Sequence, residues 1–350
     1  MKKILHLPTS TSGYSIGLSE IEIKNGFDSR VLITDRNKFF YKSDYSLFSK
    51  NPIKLFFNKL LFVLNNRKSF DVYHFNFGTS LFDYFFIGLP VLDLKFYREK
   101  KIFTFNGSDA RGWSNKIYND AISLELDSQY AKNTKIIVRR FFNKLKLKKV
   151  IKYADTIFTV NPDLMNYLPE NTKFLPYAIS NWNNINKVEN YLETNNKIKI
   201  LHAPTNRGLK GSSFIIESIN KLKKKYNNIE LVLVENHTNE EALKLYSSAD
   251  ILIDQVLIGW YGGVSVEFMK MGKPVAVFIR EEDLKFIPSE MAMELKNAII
   301  SIDPFNIEEV LSHYIENVNE LKIKAKLCYD YVNKWHDPDY IFSLLKKAYQ

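Results

Sequence analysis

"WYGGVSVEFMKMGKPVAVFI", residues 260–279, combines the pattern of a short helix with that of a strand. Two glycines, Gly262 and Gly263, precede an apolar stretch with helical spacing, and Gly272 follows it at a position where helix ends favour glycine. The run that begins at Pro274 is apolar and rich in valine, which is typical of a buried strand. The sequence therefore predicts a helix that starts at the glycine pair, ends at Gly272 and leads directly into a strand.

Similar apolar runs recur along the chain and alternate with helix-like stretches. The runs are continuously apolar, as in parallel strands that helices cover on both faces. We therefore predict an α/β protein with two Rossmann-like, doubly wound domains. Five runs lie in the first half, at 2–8, 29–34, 71–77, 101–106 and 155–160, and five in the second, at 197–204, 229–235, 250–256, 274–279 and 298–302.

A polar, Asn-rich segment at 180–197 separates the two halves and is followed at once by a strand pattern. Two such domains are expected to face each other across a cleft at the carboxyl ends of their strands, where these folds bind ligands. The chain ends in two helix patterns with a break at Asp337 and Pro338. The predicted ranges are 1–180 for the first domain, 181–197 for the linker, 198–336 for the second domain, and 337–350 for a helix that packs back on the first.

Composition limits the classes of protein that fit. The chain has 350 residues, of which 45% are hydrophobic, and this suits two domains. Its single cysteine, Cys328, cannot form an intrachain disulfide, which favours a reducing cytoplasm. No apolar run reaches the ~20 residues of a membrane-spanning helix, and the first residues do not fit a signal peptide. A net charge of +10 favours anionic partners, whether nucleotides, nucleic acid or acidic lipids.

The glycine pair and its helix suggest a binding site for a nucleoside diphosphate. Gly262 and Gly263 would let an anion approach the first amides of the helix, where the helix dipole favours negative charge. Glu267, about one turn later, could accept hydrogen bonds from two ribose hydroxyls. Arg207 and Lys210, before another helix start, could neutralise a diphosphate without metal. Each feature alone also fits an ordinary turn or a solvated surface.

In the order of its motifs, the second half resembles the nucleotide-binding domain of GT-B glycosyltransferases, specifically the retaining family 4 group, over 197–336. The resemblance rests on the strand and basic loop that end in "KG" at 210–211, "YSSADILIDQ" at 246–255, and "YGGVSVEFMKMGKPV" at 261–275. The first half is more loosely similar to the acceptor-side domain of the group. It matches in the loop from Gly13 to Gly17, "HFNFG" at 74–78 and "TFNGSDAR" at 104–111.

The resemblance implies a site divided between the two domains. Residues of the second domain would hold the donor, and residues of the first would face the acceptor and the reacting sugar. The implied catalytic residues are Asn106, Lys210 and Arg207. The implied donor-binding residues are Gly13, Arg207, Lys210, Tyr261, Gly262, Gly263, Val264 and Glu267, and the implied lining residues are His74, Asn76, Ser108, Asp109 and Arg111.

Three departures from the family pattern bear on the chemistry. The family places a glutamate that touches the donor sugar where this chain has Gly259, and commonly a histidine beside the reacting sugar where it has Asn106. The spacing from Arg207 to Lys210 is also shorter than usual. In a retaining transfer the leaving phosphate can itself accept the proton of the acceptor, so that the main task is to stabilise charge on the diphosphate. An inactive member that binds nucleotide or glycan without transfer is the alternative.

Metal and cofactor motifs are missing from the sequence. It contains no HExxH, CxxC or Walker loop, and the glycines at 13 and 17 do not form a dinucleotide fingerprint. His74 and His202, near strand ends, could line the cleft, and the loop at 9–19 could equally be a tight turn. Because these motifs are missing, we expect no metal. We also expect no cofactor, because the nucleotide sugar is itself a substrate.

Two segments of the first domain, 50–70 and 138–153, combine cations with aromatic and aliphatic residues. Each can form an amphipathic helix with a basic remainder, the composition of an interfacial membrane binder. A core-facing helix with a solvated basic face is the alternative for either segment. Nucleic acid is not expected as a partner, because no nucleic-acid module accompanies them.

These patterns lead to one functional prediction. The protein is expected to be a hexosyltransferase that moves a sugar from a UDP-type or GDP-type donor to a glycan or lipid-linked acceptor with retention of configuration and without metal. Its expected context is cell-surface polysaccharide biosynthesis, in the cytoplasm at the inner face of the membrane. The alternatives are an inactive GT-B protein and a basic protein that binds membrane or nucleic acid.

Overall fold

The computed structural model describes residues 1–34, 43–83, 90–111, 118, 120–131, 134–189, 192 and 197–350, with the side chains of 130–143 left out. Within these ranges all ten predicted strands are confirmed. The strands are β1 (Lys3–Leu7), β2 (Asp28–Ile33), β3 (Tyr45–Ser46), β4 (Val72–Asn76), β5 (Lys100–Phe105), β6 (Thr156–Thr159), β7 (Lys173–Phe174), β8 (Ile198–His202), β9 (Ile229–Leu233), β10 (Ile251–Ile253), β11 (Val275–Val277) and β12 (Ile300–Ser301).

Helices alternate with these strands, as the sequence predicts. The helix of the opening motif runs from Gly263 to Lys270, and the two C-terminal helices are divided at Pro338. The helices are α1 (Tyr14–Lys24), α2 (Pro52–Asn66), α3 (Ala121–Ala131), α4 (Thr134–Tyr153), α5 (Arg207–Lys210), α6 (Ser212–Lys225), α7 (Asn239–Ser248), α8 (Gly263–Lys270), α9 (Ser289–Ala298), α10 (Ile307–Glu316), α11 (Val318–Trp335) and α12 (Pro338–Tyr349).

The chain forms two compact units, each built on one parallel sheet. The first comprises Met1–Ile117, Asn133–Trp182 and Pro338–Gln350, and the second comprises Tyr118–Lys132 and Asn183–Asp337. In the described residues the first sheet has the strand order β3-β2-β1-β4-β5-β6-β7 and the second the order β12-β11-β10-β8-β9. Every strand pair is parallel, so both units belong to the α/β class.

The division of the chain differs from a simple split into two halves. Helix α3 groups with the second unit although it lies in the range predicted for the first domain, because Ile122 and Leu126 pack against the core of the second unit. The chain passes from the first unit to the second after Trp182, inside the predicted linker. Linker residues 190–191 and 193–196 lie outside the described residues.

Two apolar layers cover the sheet of the first unit. On one side, Phe62 of α2 and Val150 of α4 pack on strand residues such as Phe75 and Phe103. The other layer joins strand residues to α1 and α12, including Leu345 of α12. Because successive residues of a strand point to opposite faces, the continuously apolar strands supply both layers. The C-terminal helix is thus part of the first unit.

Candidate functional site

Helix α8 begins at the glycine pair, but its first anion-binding position is already occupied by the protein. Gly262 is the N-cap residue of α8, and no N-cap side chain accepts a hydrogen bond from the amides of the first turn. Its amide donates a hydrogen bond of 2.5 Å to Oδ2 of Asp254, and the Ser265 hydroxyl donates to the same oxygen at 2.8 Å. A carboxylate is favourable here because helix N-termini carry partial positive charge. The half-buried Gly263 and Val264 supply the next amides of the first turn, where backbone donors have no intrahelical acceptor.

Asp254, which sequence reasoning missed, is the centre of this arrangement. It follows β10, has no exposed surface, and accepts an ion-pair hydrogen bond from Lys210 through Oδ1. Burial raises the pKa of the Asp254 carboxyl, but the Lys210 charge and the hydrogen bonds outweigh burial and hold the pKa below its usual value. A polar residue at the carboxyl end of a parallel strand was the signal that could have identified it.

Lys210 is brought to α8 by a short helix and a glycine. Asn206 caps α5 by accepting a hydrogen bond of 3.0 Å from the Leu209 amide. Gly211 ends the helix with a φ of +72°, and a Cβ at this position would lie 2.5 Å from Cγ2 of Val256. The close approach of Gly211 to Val256 orients Lys210, which is largely buried. If a Cβ atom were built on Gly262, it would lie 3.5 Å from Nζ of Lys210. Two residues predicted to bind the same diphosphate are therefore neighbours.

Arg207 occupies a different environment from Lys210. It is exposed and forms a bidentate ion pair with Glu235, with Nε to Oε1 at 2.8 Å and Nη2 to Oε2 at 2.6 Å. The hydrogen bonds from Arg207 lower the pKa of the Glu235 carboxyl. Glu235 follows β9, and no local pattern in the sequence indicates this pairing. The Arg207 guanidinium would have to leave Glu235, at least in part, to bind a phosphate.

Glu267 lies one turn into α8 and is almost completely buried at 7% exposure. Its Oε1 accepts a hydrogen bond of 3.2 Å from Nδ2 of Asn239, the first residue of α7. Burial raises the pKa of the Glu267 carboxyl to about 7, against a lowering effect of the Asn239 hydrogen bond. Protonated and ionised forms of this carboxyl therefore coexist near neutral pH.

Tyr261, predicted to contact the donor, has its side chain inside the second unit. The ring is fully buried and stacks on Trp260 at a centroid distance of 4.4 Å. Its hydroxyl is 2.8 Å from both the Tyr331 hydroxyl and Nε2 of His336. The phenol therefore anchors the segment before α8 to α11, and only the main chain of Tyr261 remains as a means of contact with a ligand.

Gly259 stands where the family pattern has a glutamate, and the structure explains why a side chain does not fit. A Cβ at Gly259 would lie 2.5 Å from Cβ of Arg280. The Arg280 guanidinium is held at 2.7 Å from Oδ2 of Asp120 and donates to the Ser123 hydroxyl at 2.8 Å. Its centre also lies 4.1 Å from the centroid of the Tyr118 ring. Arg280 thus fills the space beside Gly259 and connects it to the segment that contains α3.

The predicted residues of the first unit differ in accessibility. Gly13, with a φ of +72°, is buried and precedes α1. His74 has no exposed surface and bonds to the Thr104 hydroxyl at 2.7 Å, so that it cannot line a ligand surface in this conformation. Burial lowers the pKa of His74 well below its usual value, and neighbouring His6 adds to this. Asn76 is also buried, and its Oδ1 has no hydrogen-bond partner in the described part of the chain.

The loop after β5 contains the remaining predicted residues. Asn106 is half-buried, and its Oδ1 accepts a hydrogen bond of 3.1 Å from the Phe77 amide, while Ser108 is exposed. Asp109 accepts hydrogen bonds from the amides of Asn106 and Gly107. Its burial raises the pKa of the carboxyl despite these bonds.

Arg111, the last predicted lining residue, forms a buried, bidentate ion pair with Asp163 at 2.6 and 2.8 Å. Together with Asp109, it shapes the loop after β5 from the inside. Asn106 and Ser108 are therefore the two predicted residues of this loop with side-chain surface available to a ligand.

One group of buried residues has the composition of a metal site. Among the described residues, His6, Glu22 and His74 place ligand atoms within 4.8 Å of one another. Glu22 accepts hydrogen bonds from His6 at 2.9 Å, from the Ser29 hydroxyl at 2.6 Å and from the Tyr349 hydroxyl. These bonds join α1, β1 and β2 to α12, and we interpret the group as a structural network of the first unit.

Solved structures of other proteins share this fold over the whole chain. A sucrose-phosphate synthase from Thermosynechococcus elongatus has a TM-score of 0.62 and 13% identity, with coverage of 100% of this chain and 98% of that one. HepE from Anabaena, solved with UDP-glucose, has a TM-score of 0.61 and 13% identity, with coverage of 99% and 98%. An α-glucosyltransferase solved with UDP and a 13-mer DNA has a TM-score of 0.60 and 11% identity, with coverage of 100% and 99%.

Two parallel sheets with interleaved helices and these matches show that the chain has the GT-B fold. No protein-family model matches the chain, and no curated protein matches it by sequence. At this level of identity the likeness shows the fold, and the resemblance to the retaining family 4 group stays a prediction.

Proposed function

We propose that the protein is a glycosyltransferase whose donor is a nucleoside diphosphate sugar of the UDP or GDP type. One observation carries the proposal: Lys210 lies beside Gly262 at the start of α8, and Glu267 follows one turn later in the same helix. A cation, free helix amides and a carboxylate are the groups that bind a diphosphate and a ribose. Solved structures with this fold contain UDP or UDP-glucose, which supports the same class of donor here.

The Lys210–Asp254 pair leaves Lys210 able to bind a phosphate. An ammonium group has three N–H donors, and within the described residues Asp254 is the acceptor that Lys210 contacts. A diphosphate at the amides of Gly263 and Val264 would take a second donor of Lys210. Asp254 neutralises much of the lysine charge, so that binding depends strongly on the backbone amides.

In the proposed reaction the bond between the sugar and the diphosphate breaks, and the charge on the leaving diphosphate is stabilised by Lys210 and the helix amides. The acceptor hydroxyl attacks the anomeric carbon on the same face, and its proton passes to the leaving phosphate oxygen. The role of Asn106 in donating a hydrogen bond from Nδ2 to a sugar hydroxyl or the phosphate stays a prediction from the resemblance. Retention of configuration, independence from metal and a glycan or lipid-linked acceptor at the cytoplasmic face of the membrane are finer parts of this proposal.

Calorimetry with UDP and GDP tests the donor site. Lys210→Ala alone would leave Asp254 as an unpaired buried charge, so the informative variant is the neutral double substitution Lys210→Met with Asp254→Asn. This variant and Glu267→Gln are expected to bind the preferred nucleotide at least fivefold more weakly. Lys223→Ala and Glu217→Gln, which change exposed residues of α6, provide matched controls. Unchanged affinity in both site variants would remove the proposed site.

A catalytically inactive, nucleotide-binding protein is the second candidate. It is favoured by the Asp254 carboxylate at the Gly262 amide and by the space that Arg280 occupies at Gly259. Proton NMR of nucleotide sugars incubated with the pure protein and an acceptor panel separates the two candidates. Release of UDP or GDP with a new α-linked or β-linked product supports transfer and reports its stereochemistry. Binding without any turnover supports the inactive protein.

A further inference from the structure

Helix α2 has two faces with different surroundings. One face packs into the first unit through Phe62 and Val63, which are almost fully buried. The helix starts firmly, because the Asn51 side chain accepts hydrogen bonds from the amides of Ile53 and Lys54, and Pro52 occupies the first turn. The helix is therefore a fixed part of the unit, and its outer face is presented in one orientation.

The outer face is an exposed apolar stripe. Four large side chains follow each other at intervals of four, four and three residues, which places them along one side of a helix. Their exposed fractions are 63% for Ile53, 52% for Phe57, 56% for Leu61 and 49% for Leu64. Single exposed apolar residues are common, whereas a continuous stripe marks a surface that contacts something else.

The charged residues of the segment that carries this stripe are all positive. Residues 47–70 contain Lys50, Lys54, Lys59, Arg67 and Lys68 and no aspartate or glutamate. A second copy of the stripe would bring these cations together, so the charge opposes self-association. Aliphatic side chains are also poor partners for nucleic acid, which is contacted through charged, polar and aromatic groups. The surface of an anionic lipid bilayer fits both features, because its headgroups are negatively charged and the acyl chains beneath them are apolar.

No helix in the described part of the chain is long and apolar enough to cross a membrane. We propose that the exposed stripe of α2 is a docking surface for an anionic lipid bilayer, with Ile53, Phe57, Leu61 and Leu64 in the interface and the surrounding cations at the headgroups. The helix would lie parallel to the membrane plane. This inference does not rest on the donor site, because lipid binding needs neither nucleotide nor acceptor.

Sedimentation of the full chain with vesicles tests the proposal without any nucleotide. The wild type is expected to bind vesicles of equal parts phosphatidylglycerol and phosphatidylcholine, and to bind pure phosphatidylcholine much more weakly. Phe57→Ser with Leu61→Ser should lower the partition coefficient by roughly tenfold or more, since about half of each side chain would enter the interface. Lys54→Gln with Lys68→Gln should lower it by roughly fivefold per cation, and raising the salt from about 0.05 M to about 0.3 M should weaken the wild type similarly.

The matched control is Met293→Ser with Ile323→Ser, which removes two side chains of similar exposure, 61% and 60%, from the second unit. It should bind like the wild type. All the changed residues are exposed, and equal thermal midpoints will confirm folding. Equal vesicle binding by the Phe57 and Leu61 variant and the wild type would overturn the proposal. The proposal would also be overturned if the wild type did not bind vesicles but formed a dimer through the stripe in sedimentation velocity.

A fluorescent label gives the orientation directly. The only native cysteine, Cys328, is fully buried, so that Phe57→Cys would be the reactive position for an environment-sensitive dye. Its emission should shift to the blue when anionic vesicles are added, whereas the dye on Met293→Cys should not respond. The absence of a shift at position 57 would contradict insertion of the stripe.

Discussion

Lys210 and Asp254 form a buried ion pair at the N-terminus of α8, and the Asp254 carboxylate also accepts a hydrogen bond from the amide of Gly262. The pair places a cation where the proposed diphosphate would bind and also places a negative charge close by. Burial of two charges is favourable only when hydrogen bonds satisfy them, as Ser265 and Gly262 do here for Asp254. The proposed donor site thus contains its own counter-ion before any nucleotide arrives.

Asp254→Asn should lower the stability of the free protein and increase its response to UDP. Loss of the carboxylate leaves the Lys210 cation buried without its partner, which costs on the order of 3 kcal/mol. A bound diphosphate would supply the missing negative charge and would no longer be repelled by Asp254. Thermal unfolding with and without UDP should therefore show a lower midpoint for the free variant and a larger upward shift on binding.

The control for this prediction is Glu290→Gln, which breaks the exposed ion pair with Lys334. Exposed pairs contribute about 1 kcal/mol or less, so neither the midpoint nor the UDP shift should change appreciably. A smaller UDP shift in Asp254→Asn than in the wild type would mean that the carboxylate positions Lys210 for the nucleotide and does not oppose it.

Glu267 should make stability and donor binding depend on pH around neutrality. Its pKa is raised to about 7 in the folded protein, against an ordinary value of 4.5. Between these two values the folded state binds more protons, so that the contribution of Glu267 to stability is greatest below the unfolded pKa and is lost as the pH rises through 7. Glu267→Gln has no carboxyl to ionise, so its free energy of unfolding at pH 8 should exceed that of the wild type by on the order of 3 kcal/mol.

Urea midpoints at three pH values, acidic, neutral and alkaline, check the sign of the Glu267 effect. The two proteins should converge at the acidic value and separate at the alkaline one. Glu217→Gln, at an exposed position of α6, should follow the wild type throughout. UDP-glucose is the better ligand for the binding profile, because UDP carries a terminal phosphate that itself titrates near pH 6.

Gly259 and Arg280 should show a specific energetic coupling. Gly259→Ala would place its Cβ 2.5 Å from Cβ of Arg280 and is expected to cost about 1–3 kcal/mol through overpacking. Arg280→Gly removes the clashing Cβ, whereas Arg280→Ala keeps it, and both remove the contact with Asp120. Double-mutant cycles from urea unfolding should therefore give a favourable coupling of Gly259→Ala with Arg280→Gly and almost none with Arg280→Ala.

The strands and the opening motif could be predicted from the sequence because their signals are local. Continuously apolar runs identify buried parallel strands, and glycines at both ends of α8 identify its limits. Strands β3 and β7 were missed because each has two residues and, unlike β12 in the run at 298–302, lies outside the ten continuously apolar runs. The grouping of α3 with the second unit depends on packing between distant parts of the chain, which no local pattern encodes.

The candidate site was less predictable for the same reason. Lys210 and Gly262 were identified by residue type beside a helix start. Asp254 resembled an ordinary strand end, although its contacts decide the charge of the site. The buried position of His74 could not be read from its place near a strand end, because β4 is an interior strand of the sheet.

Tyr349→Phe should destabilise the first unit far more than an exposed substitution of the same kind. The Tyr349 hydroxyl, one residue from the C-terminus, donates to the fully buried Glu22 and lies 3.4 Å from Nδ1 of His74. Without it Glu22 keeps the donors of His6 and Ser29 but loses one hydrogen bond to a charged group, which costs about 1.5–3 kcal/mol.

Tyr226→Phe is the matched control, because Tyr226 also donates to a glutamate, Glu316, but on the surface. Water can replace the lost donor there, so the expected cost is below about 1 kcal/mol. Two measurements compare the stability of both variants with that of the wild type: urea unfolding, and hydrogen exchange of the β1 and β4 amides. Equal stability of Tyr349→Phe and the wild type would show that the Tyr349 hydroxyl contributes nothing to the docking of α12, which its other contacts, among them the apolar Ile341 and Leu345, would then hold.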